Sequence, residues 1–399
     1  MEAGNQPGGA IPIGVATLSK MAFDGEDLNP IWETLVHRFV YEPDDAAALM
    51  DLSIIEQIFG NREIGISHQT RALEIRQLYP SRCAVTPPSL RLLAFAAPGD
   101  IGANTPLEFL LAGSDIALET LYVAPGVPLP VEIPEHDVAI VSVAQSAEHA
   151  AVLAMLSELG ARWPRPLLNA PERVALLSRE RLHALLAAAP GIAIPATSRI
   201  TRAALAGPLA DGGFPLIVRP IDSHAGVGLA KLDEPAAIAS YLAERGEAEF
   251  TISSFVDYRS ADGLFRKYRI VFVGGRPYAC HMAIADQWAI WYLNAGMKDD
   301  AAKRAEEAHF MTAFDADFGR RHAAALAEIE SRIGLDYFAI DCAETADGKL
   351  LVFEADIAMI VHDMDPAEIF PYKAPQMRKV FRAFRAMLRR ASRDPASAA

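Results

Sequence analysis

Apolar residues in the first part of the chain recur at intervals of three and four, the spacing of an amphipathic helix. The first predicted helix has them at Ala46, Leu49, Met50, Ile54, Ile55 and Ile58. Gly60 follows and is predicted to end this helix, and a second helix is predicted over about residues 62–78. Residues 1–25 show no such pattern, so we expect them to be unstructured or lightly packed. The sequence thus predicts an N-terminal helical segment over residues 1–86.

The pattern changes after Pro87-Pro88, where short apolar runs alternate with helical stretches. Strands are predicted at residues 92–97, 116–123 and 138–143, and helices at 105–112 and 147–159. Alternation of this kind predicts a small α/β domain with a parallel sheet over residues 87–168. The loop at residues 97–104 leads to a helix N-terminus, where backbone amides favour an anion. A substrate carboxylate or phosphate contact and a plain connecting turn are the two interpretations of this loop.

The rest of the chain is predicted to form two further units, residues 169–256 and 257–399. Their elements are helical residues 171–186, a strand at 214–220, a helix at 234–244, a strand at 249–256, a hairpin over 267–284, a helix at 320–333, an acidic hairpin over 334–356 and a helix at 374–391. Residues 297–317 have little pattern and are predicted to form a mobile lid. The final helix is basic and amphipathic. It is predicted to dock on the last sheet, with a membrane or partner contact as the alternative.

Composition narrows the class of protein. The 399 residues are 51% hydrophobic, which is enough for two or three globular domains. No run of about 18 apolar residues exists, and the first ten residues lack the order of a signal peptide, so we expect a cytoplasmic protein without a membrane contact. Three scattered cysteines are expected to be reduced. The formal net charge of −14 opposes binding to nucleic acid, because that affinity comes from clustered Lys and Arg.

One hairpin carries acidic residues where apolar ones are expected. Asp347-Gly348 marks its turn, and Asp341, Glu354 and Asp356 interrupt the flanking apolar runs. Glu354 and Asp356 are two residues apart and so project from one face of a strand. Crowded carboxylates repel one another unless a cation neutralises them, and their oxygens suit Mg²⁺. A metal site that serves phosphates is therefore predicted, with a solvated sheet edge as the alternative.

Cationic and glycine residues precede these acids in the order that a nucleotide site needs. Arg219 ends an apolar strand, and its guanidinium can fork to phosphate oxygens. Gly226 and Gly228 in the next loop let backbone amides approach a phosphate closely. Lys267 and Arg269 lie two residues apart on one strand face, so an anion is expected between them.

These motifs together resemble the ATP-grasp superfamily, and within it the glutathione synthetase and RimK-like carboxylate–amine ligases. The resemblance covers roughly residues 90–390. It rests on residues 214–220 with the glycine loop, residues 266–269 with Gly274-Gly275, and residues 334–337 through Glu354-Ala355-Asp356. Residues 44–78 resemble a single tetratricopeptide-type helical hairpin. The implied fold is an ATP-grasp fold, of mixed α/β and α+β class, with an α/β pre-domain and the N-terminal helical segment.

The resemblance also implies roles for individual residues. Asp341, Glu354 and Asp356 would hold Mg²⁺, with Mn²⁺ as an alternative. Arg269 would steady an acyl phosphate, with Lys267 beside it as a second catalytic cation. The ATP-binding residues would be Arg179, Arg219, His224, Gly226, Gly228, Ser254, Phe255 and Val256, the last three on the strand end that would face adenine. This chain departs from the family in having Arg179 and Arg219 in place of two lysines, and Asp356 in place of Asn.

The implied activity is that of an ATP- and Mg²⁺-dependent ligase, which joins a carboxylate to an amine in a peptide-type bond through an acyl phosphate. Its partners would be small-molecule or peptide substrates, and a homodimer is an option because the helical hairpin must be covered. His281 is a further catalytic candidate; with Trp288, Trp291 and Tyr292 it lines either a substrate pocket or a packed wall. The alternative functions are an ATP-grasp small-molecule kinase and a non-catalytic nucleotide-binding scaffold.

Overall fold

The computed structural model describes residues 10–393, with the exception of 208, 210–212, 222, 224 and 225. The described helices are α1 (Val15–Phe23), α2 (Asn29–Tyr41), α3 (Ala46–Ile58), α4 (Arg62–Ile75), α5 (Leu107–Leu111), α6 (Ala150–Gly160), α7 (Pro171–Val174), α8 (Arg179–Leu186), α9 (Arg202–Leu205), α10 (Ala237–Ala243), α11 (Ala301–Thr312), α12 (Phe318–Arg321), α13 (Ala323–Ile333) and α14 (Lys373–Arg393). The strands are β1 (Leu78–Pro80), β2 (Leu90–Ala96), β3 (Ile116–Tyr122), β4 (Val138–Val141), β5 (Leu167–Leu168), β6 (Ile192–Ala193), β7 (Thr197–Thr201), β8 (Leu216–Pro220), β9 (Ala230–Leu232), β10 (Glu249–Ser254), β11 (Phe265–Val273), β12 (Arg276–Ala285), β13 (Tyr337–Glu344) and β14 (Leu350–Asp356).

The described strands form three sheets, so the mixed α/β class predicted from the sequence is confirmed. The pre-domain sheet has the order β1-β3-β2-β4-β5, the small sheet β7-β10-β8-β9, and the large sheet β12-β11-β13-β14-β6. In the pre-domain sheet β2 pairs in parallel with β3 and β4, as the strand–helix alternation predicted. β1 joins this sheet antiparallel to β3, although it lies before the predicted boundary at residue 87.

The N-terminal segment is more ordered than its sequence suggested, and the prediction of an unstructured stretch is wrong for α1. Leu18 of this helix is fully buried. The Ile13 and Gly14 amides donate to the Asp51 carboxylate at 2.8 and 3.0 Å, and the Ala16 amide donates to Glu108 at 2.9 Å. Two carboxylates from distant helices thus satisfy the free amides of the helix start, which no local pattern reveals.

The α3–α4 hairpin packs on the rest of the chain. Helix α3 ends before Gly60, which has a φ of +88°. Side chains of the hairpin then reach the loop after β2: the Gly99 amide donates to Gln69 Oε1 at 2.7 Å, and the Ile101 amide donates to Gln57 Oε1 at 2.9 Å. Those loop amides, considered as an anion site in the sequence, are therefore engaged by protein side chains.

The large sheet is the frame of the second half of the molecule. β11 lies between β12 and β13, and β13 pairs antiparallel with β14 around the predicted Asp347-Gly348 turn. The register places Asp341 opposite Arg269 on one side and opposite Glu354 on the other. A bulge between Asp341 and Cys342 follows this pair. The acidic hairpin and the cationic strand are therefore neighbours in one sheet.

Two helices complete this part of the molecule. The predicted mobile lid is wrong, because α11 occupies residues 301–312 and buries Glu307, Phe310 and Met311. Helix α14 docks through an apolar stripe that includes Val380, Phe381, Phe384 and Leu388, and Arg389 pairs with Asp115 of the pre-domain at 2.6 Å. This confirms the closing-helix interpretation.

Among the described helices, none has the length and apolar character needed to cross a membrane.

Candidate functional site

Asp341 is the centre of a cluster of ion pairs on the large sheet. Its Oδ1 accepts from Arg269 Nε at 2.7 Å, and its Oδ2 accepts from Arg269 Nη2 at 3.1 Å and lies 2.8 Å from Lys267 Nζ. Only 1% of the Asp341 side chain is exposed. Burial raises the pKa of this carboxyl, but Arg269 and Lys267 outweigh burial and hold the pKa far below its ordinary range. The anion expected between these two cations is therefore, in this structure, Asp341 itself.

Glu354, the cross-strand neighbour of Asp341, is held by two arginines from other elements. Arg179 Nη2, from the start of α8, donates to Glu354 Oε2 at 2.5 Å. Arg219 Nη1, from β8, lies 3.9 Å from the same oxygen. Burial and the nearby charge of Arg179 lower the pKa of Arg219 to about 10. The structure thus brings together Arg179, Arg219, Lys267, Arg269, Asp341 and Glu354, which the sequence had singled out one by one.

The glycine loop is tied to the same cluster through Ser223. Arg219 Nε donates to Ser223 Oγ at 2.9 Å, and Arg219 Nη2 donates to the Ser223 carbonyl oxygen. Gly226 has a φ of +76° and open space where a Cβ would lie, whereas a Cβ on Gly228 would come within 2.5 Å of Pro220. Gly226 thus fits the predicted approach to a phosphate, and Gly228 is also required by packing. His224 lies outside the described residues.

The strand end predicted to face adenine is lined by aromatic residues. Ser254 is exposed, while Phe255 and Val256 are half-buried. The Phe255 amide donates to the Pro215 carbonyl oxygen at 3.0 Å, so that amide already has a partner. The Phe255 ring lies 5.8 Å from that of Trp288, and Lys231 Nζ lies 4.7 Å from the Phe255 ring centre. Lys231 was missed by the sequence reasoning; its position just after the glycine loop is the signal that could have found it.

His281 lies next to Arg269 in the β11–β12 register, beside the ion-pair cluster. Its ring contacts the Tyr292 ring at 4.8 Å, and its Nδ1 atom is buried without a hydrogen-bond partner among the described residues. Burial and the positive charge of Arg269 hold its pKa well below the ordinary value, so the imidazole is neutral near pH 7. The aromatic residues that were predicted to lie together with His281 are separated in the structure. Tyr292 contacts His281, whereas Trp288 contacts Phe255.

A second, sealed network behind His281 was not predicted. Lys373 Nζ lies 3.4 Å from Glu307 Oε1 and 3.2 Å from Asp365 Oδ2, and it donates to the Tyr292 hydroxyl. The Tyr292 and Tyr372 hydroxyls donate to Glu307 at 3.1 and 2.6 Å. Burial raises the pKa of Glu307, although Lys373 opposes this shift. Because its members are spread over about 80 residues of sequence, no motif marks this network.

The three carboxylates of the acidic hairpin differ in what they offer a metal ion. Among residues that the structure describes, no group of three or more His, Cys, Asp or Glu side chains is placed to hold a metal. Both Asp341 oxygens are bonded to cations, whereas Glu354 is 31% exposed and Asp356 is half-buried on the same strand face. Two accessible carboxylates fit Mg²⁺, which proteins commonly hold through one or two carboxylates and substrate phosphates. The assignment of all three acids as metal ligands stays a prediction.

A cavity of about 480 Å³ lies on the opposite face of β11, beside Tyr268. Its acids are paired with two arginines: Arg266 bonds Asp262 and Glu306, and Arg321 bonds Asp317 and Glu344. Tyr268 alternates with Lys267 and Arg269 along the strand, so the sheet separates this cavity from the ion-pair cluster.

Comparisons with known proteins were made by sequence and by structure. No protein-family model and no curated protein matches the sequence. Among solved structures, the chain is similar to D-alanine–D-alanine ligase from Bacillus anthracis complexed with ATP, with 14% identity and a TM-score of 0.46 over 77% of this chain and 99% of that one. A second structure of that ligase gives 15% identity and a TM-score of 0.47, over 76% of this chain and 97% of that one.

A third similarity is to a RimK domain ATP-grasp protein from Sphaerobacter thermophilus, with 19% identity and a TM-score of 0.42 over 73% of this chain and 98% of that one.

Proposed function

We propose that the chain is an ATP- and Mg²⁺-dependent ligase that joins a carboxylate to an amine through an acyl phosphate. The observation that carries this proposal is the convergence of four cations, Arg179, Arg219, Lys267 and Arg269, on the two carboxylates Asp341 and Glu354. These side chains come from α8, β8, β11 and the acidic hairpin. A concentration of positive charge around one accessible carboxylate, Glu354, suits a phosphoryl group together with its metal ion.

Each part of the cluster has a physical role in this reaction. Arg179 and Arg219 would bind phosphate oxygens through their guanidinium forks. Arg269, held rigid by both Asp341 oxygens, would stabilise the charge that develops when a substrate carboxylate attacks the terminal phosphate and ADP leaves. Glu354 and Asp356 would hold Mg²⁺, which supplies neutralisation of phosphate charge when bound. The amine then displaces phosphate from the acyl group, so no protein nucleophile is required.

The experiment is ADP release measured against panels of amino acids and short peptides as donors and acceptors. We expect release that requires both a carboxylate and an amine, and a loss of about 100-fold or more in Glu354→Ala. Glu328→Ala is the matched control: the half-buried Glu328 carboxylate pairs with Arg332 one turn away on α13, and this variant should retain full activity.

Other outcomes separate the rival functions. A stable phosphorylated product formed without any amine would indicate a kinase. Nucleotide binding without ADP formation on any pair of substrates would indicate a scaffold. Full Mg²⁺-dependent activity in Glu354→Ala would contradict the assignment of this residue.

A further inference from the structure

Glu354 has two competing uses in this molecule. Its Oε2 accepts from Arg179 and lies within 3.9 Å of Arg219, so two guanidinium groups share one carboxylate oxygen. The same carboxylate is the accessible acid that suits Mg²⁺. An oxygen that accepts from one guanidinium group and lies 3.9 Å from a second is a poor ligand for a third cation, because the three positive charges repel one another.

Arg219 links this carboxylate to the glycine loop. One edge of its guanidinium bonds Ser223, while Nη1 faces Glu354. An arginine can contact both partners at once because its donors form a planar fork, whereas a lysine ammonium is a single compact charge. The two arginines that replace lysines in this chain therefore build a connection between α8, the glycine loop and the acidic hairpin.

We propose that Arg179 and Arg219 form a counter-ion latch on Glu354, and that nucleotide phosphates open it. The inference rests on the proposed function and extends it. Phosphate oxygens compete with Glu354 for the two guanidinium groups. Once the arginines turn to phosphate, a partly buried carboxylate loses its two arginine partners, which is unfavourable until a divalent cation binds. Nucleotide binding therefore raises the affinity of Glu354 for the metal ion. By thermodynamic linkage, the metal ion raises the affinity for the nucleotide by the same factor.

The decisive test is nucleotide binding in the absence of any metal. A fluorescent ADP analogue is titrated into the full-length protein in EDTA, and Glu354→Gln is compared with the wild type. The latch predicts that Glu354→Gln binds the analogue about five- to tenfold more tightly, because both arginines are released from their anionic partner. Glu328→Gln, at a half-buried pair with Arg332 on α13, should bind like the wild type.

A second measurement tests the same latch from the metal side. Mn²⁺ is titrated into the nucleotide-free protein and free Mn²⁺ is followed by electron paramagnetic resonance. Arg179→Gln should bind Mn²⁺ several-fold more tightly than the wild type, because Glu354 loses one of its two cations.

The outcomes distinguish failure of the latch from failure of the proposed function. Unchanged or weaker analogue binding by Glu354→Gln in EDTA would overturn the latch, and so would unchanged Mn²⁺ affinity in Arg179→Gln. Absence of nucleotide binding by the wild-type protein in the presence of Mg²⁺ would instead overturn the proposed function.

Discussion

Two groups of ion pairs in this molecule use the same chemistry at different depths. The site cluster consists of Arg179, Arg219, Lys267, Arg269, Asp341 and Glu354. The frame cluster consists of Lys373, Glu307 and Asp365 with the Tyr292 and Tyr372 hydroxyls. Lys373 and Glu307 are only 3% and 0% exposed, whereas Arg179 and Glu354 are 21% and 31% exposed.

The difference in exposure decides what each cluster can do. In the frame cluster, Lys373 donates hydrogen bonds to Tyr292 and Asp365 and forms an ion pair with Glu307, so the elements that carry these residues are fixed to one another. In the site cluster, the charges of Arg179 and Glu354 can be reached by a ligand and can exchange partners. The buried ion pairs therefore stabilise the fold, and the accessible ion pairs are available to bind a ligand.

The largest expected effect comes from breaking the sealed pair. Lys373→Met leaves Glu307 buried without a cation and should lower the free energy of unfolding by about 3–5 kcal/mol, measured by urea denaturation. Lys349→Met is the control: its pair with Asp347 is more than half exposed on both sides, so the loss should stay below about 1 kcal/mol. Equal losses in the two variants would remove the distinction between sealed and accessible pairs.

The second prediction compares substitutions on the two faces of β11. Arg269→Gln should reduce the kcat/KM of ADP release by about 100- to 1000-fold, because a positioned donor to the developing negative charge is lost. Arg266→Gln is the matched control, since Arg266, like Arg269, is paired with carboxylate oxygens, here those of Asp262 and Glu306, but lies near the cavity on the opposite face. If both variants lost activity to the same extent, the ion-pair cluster would not be the reacting centre.

The smallest effect concerns Asp51, a buried carboxyl that accepts hydrogen bonds from the Ile13 and Gly14 amides. Burial raises its pKa to about 6; the Ile13 and Gly14 amides oppose this, Glu108 adds to it, and Arg38 opposes it. A raised folded-state pKa gives stability that is fully present below about pH 4 and is lost as the pH rises through 6. Between pH 4 and pH 7, the contribution of Asp51 to the free energy of unfolding falls by at most about 3 kcal/mol.

Asp51→Asn should remove this part of the pH dependence. The difference between the unfolding free energies of the wild type and the variant should therefore be larger at pH 4.5 than at pH 7, because only the wild type carries the Asp51 carboxyl, which adds stability when it is protonated. Glu108, whose pKa burial also raises, remains in both proteins. Parallel stability curves across this pH range would show that Asp51 does not titrate as described.

Local patterns predicted most of the elements that carry the site. The helical stretch that contains α8, the strand β8, and the strands on either side of Asp347-Gly348 all follow from periodicity and turn residues. Helices α1 and α11 were missed, because their order depends on distant partners: Asp51 and Glu108 for α1, and Lys373 for α11.

The sequence by itself determined which residue types the site contains: four cations, a glycine loop and three acids in a fixed order along the chain. The tertiary structure alone decided which of these residues form ion pairs with each other. Arg179 meets Glu354 across 175 positions, and Asp341 accepts both Lys267 and Arg269, so its carboxylate is closed to solvent while Glu354 stays accessible. The physical reason is that strand periodicity fixes the direction of a side chain, whereas sheet register and burial fix its partner and the cost of separating them.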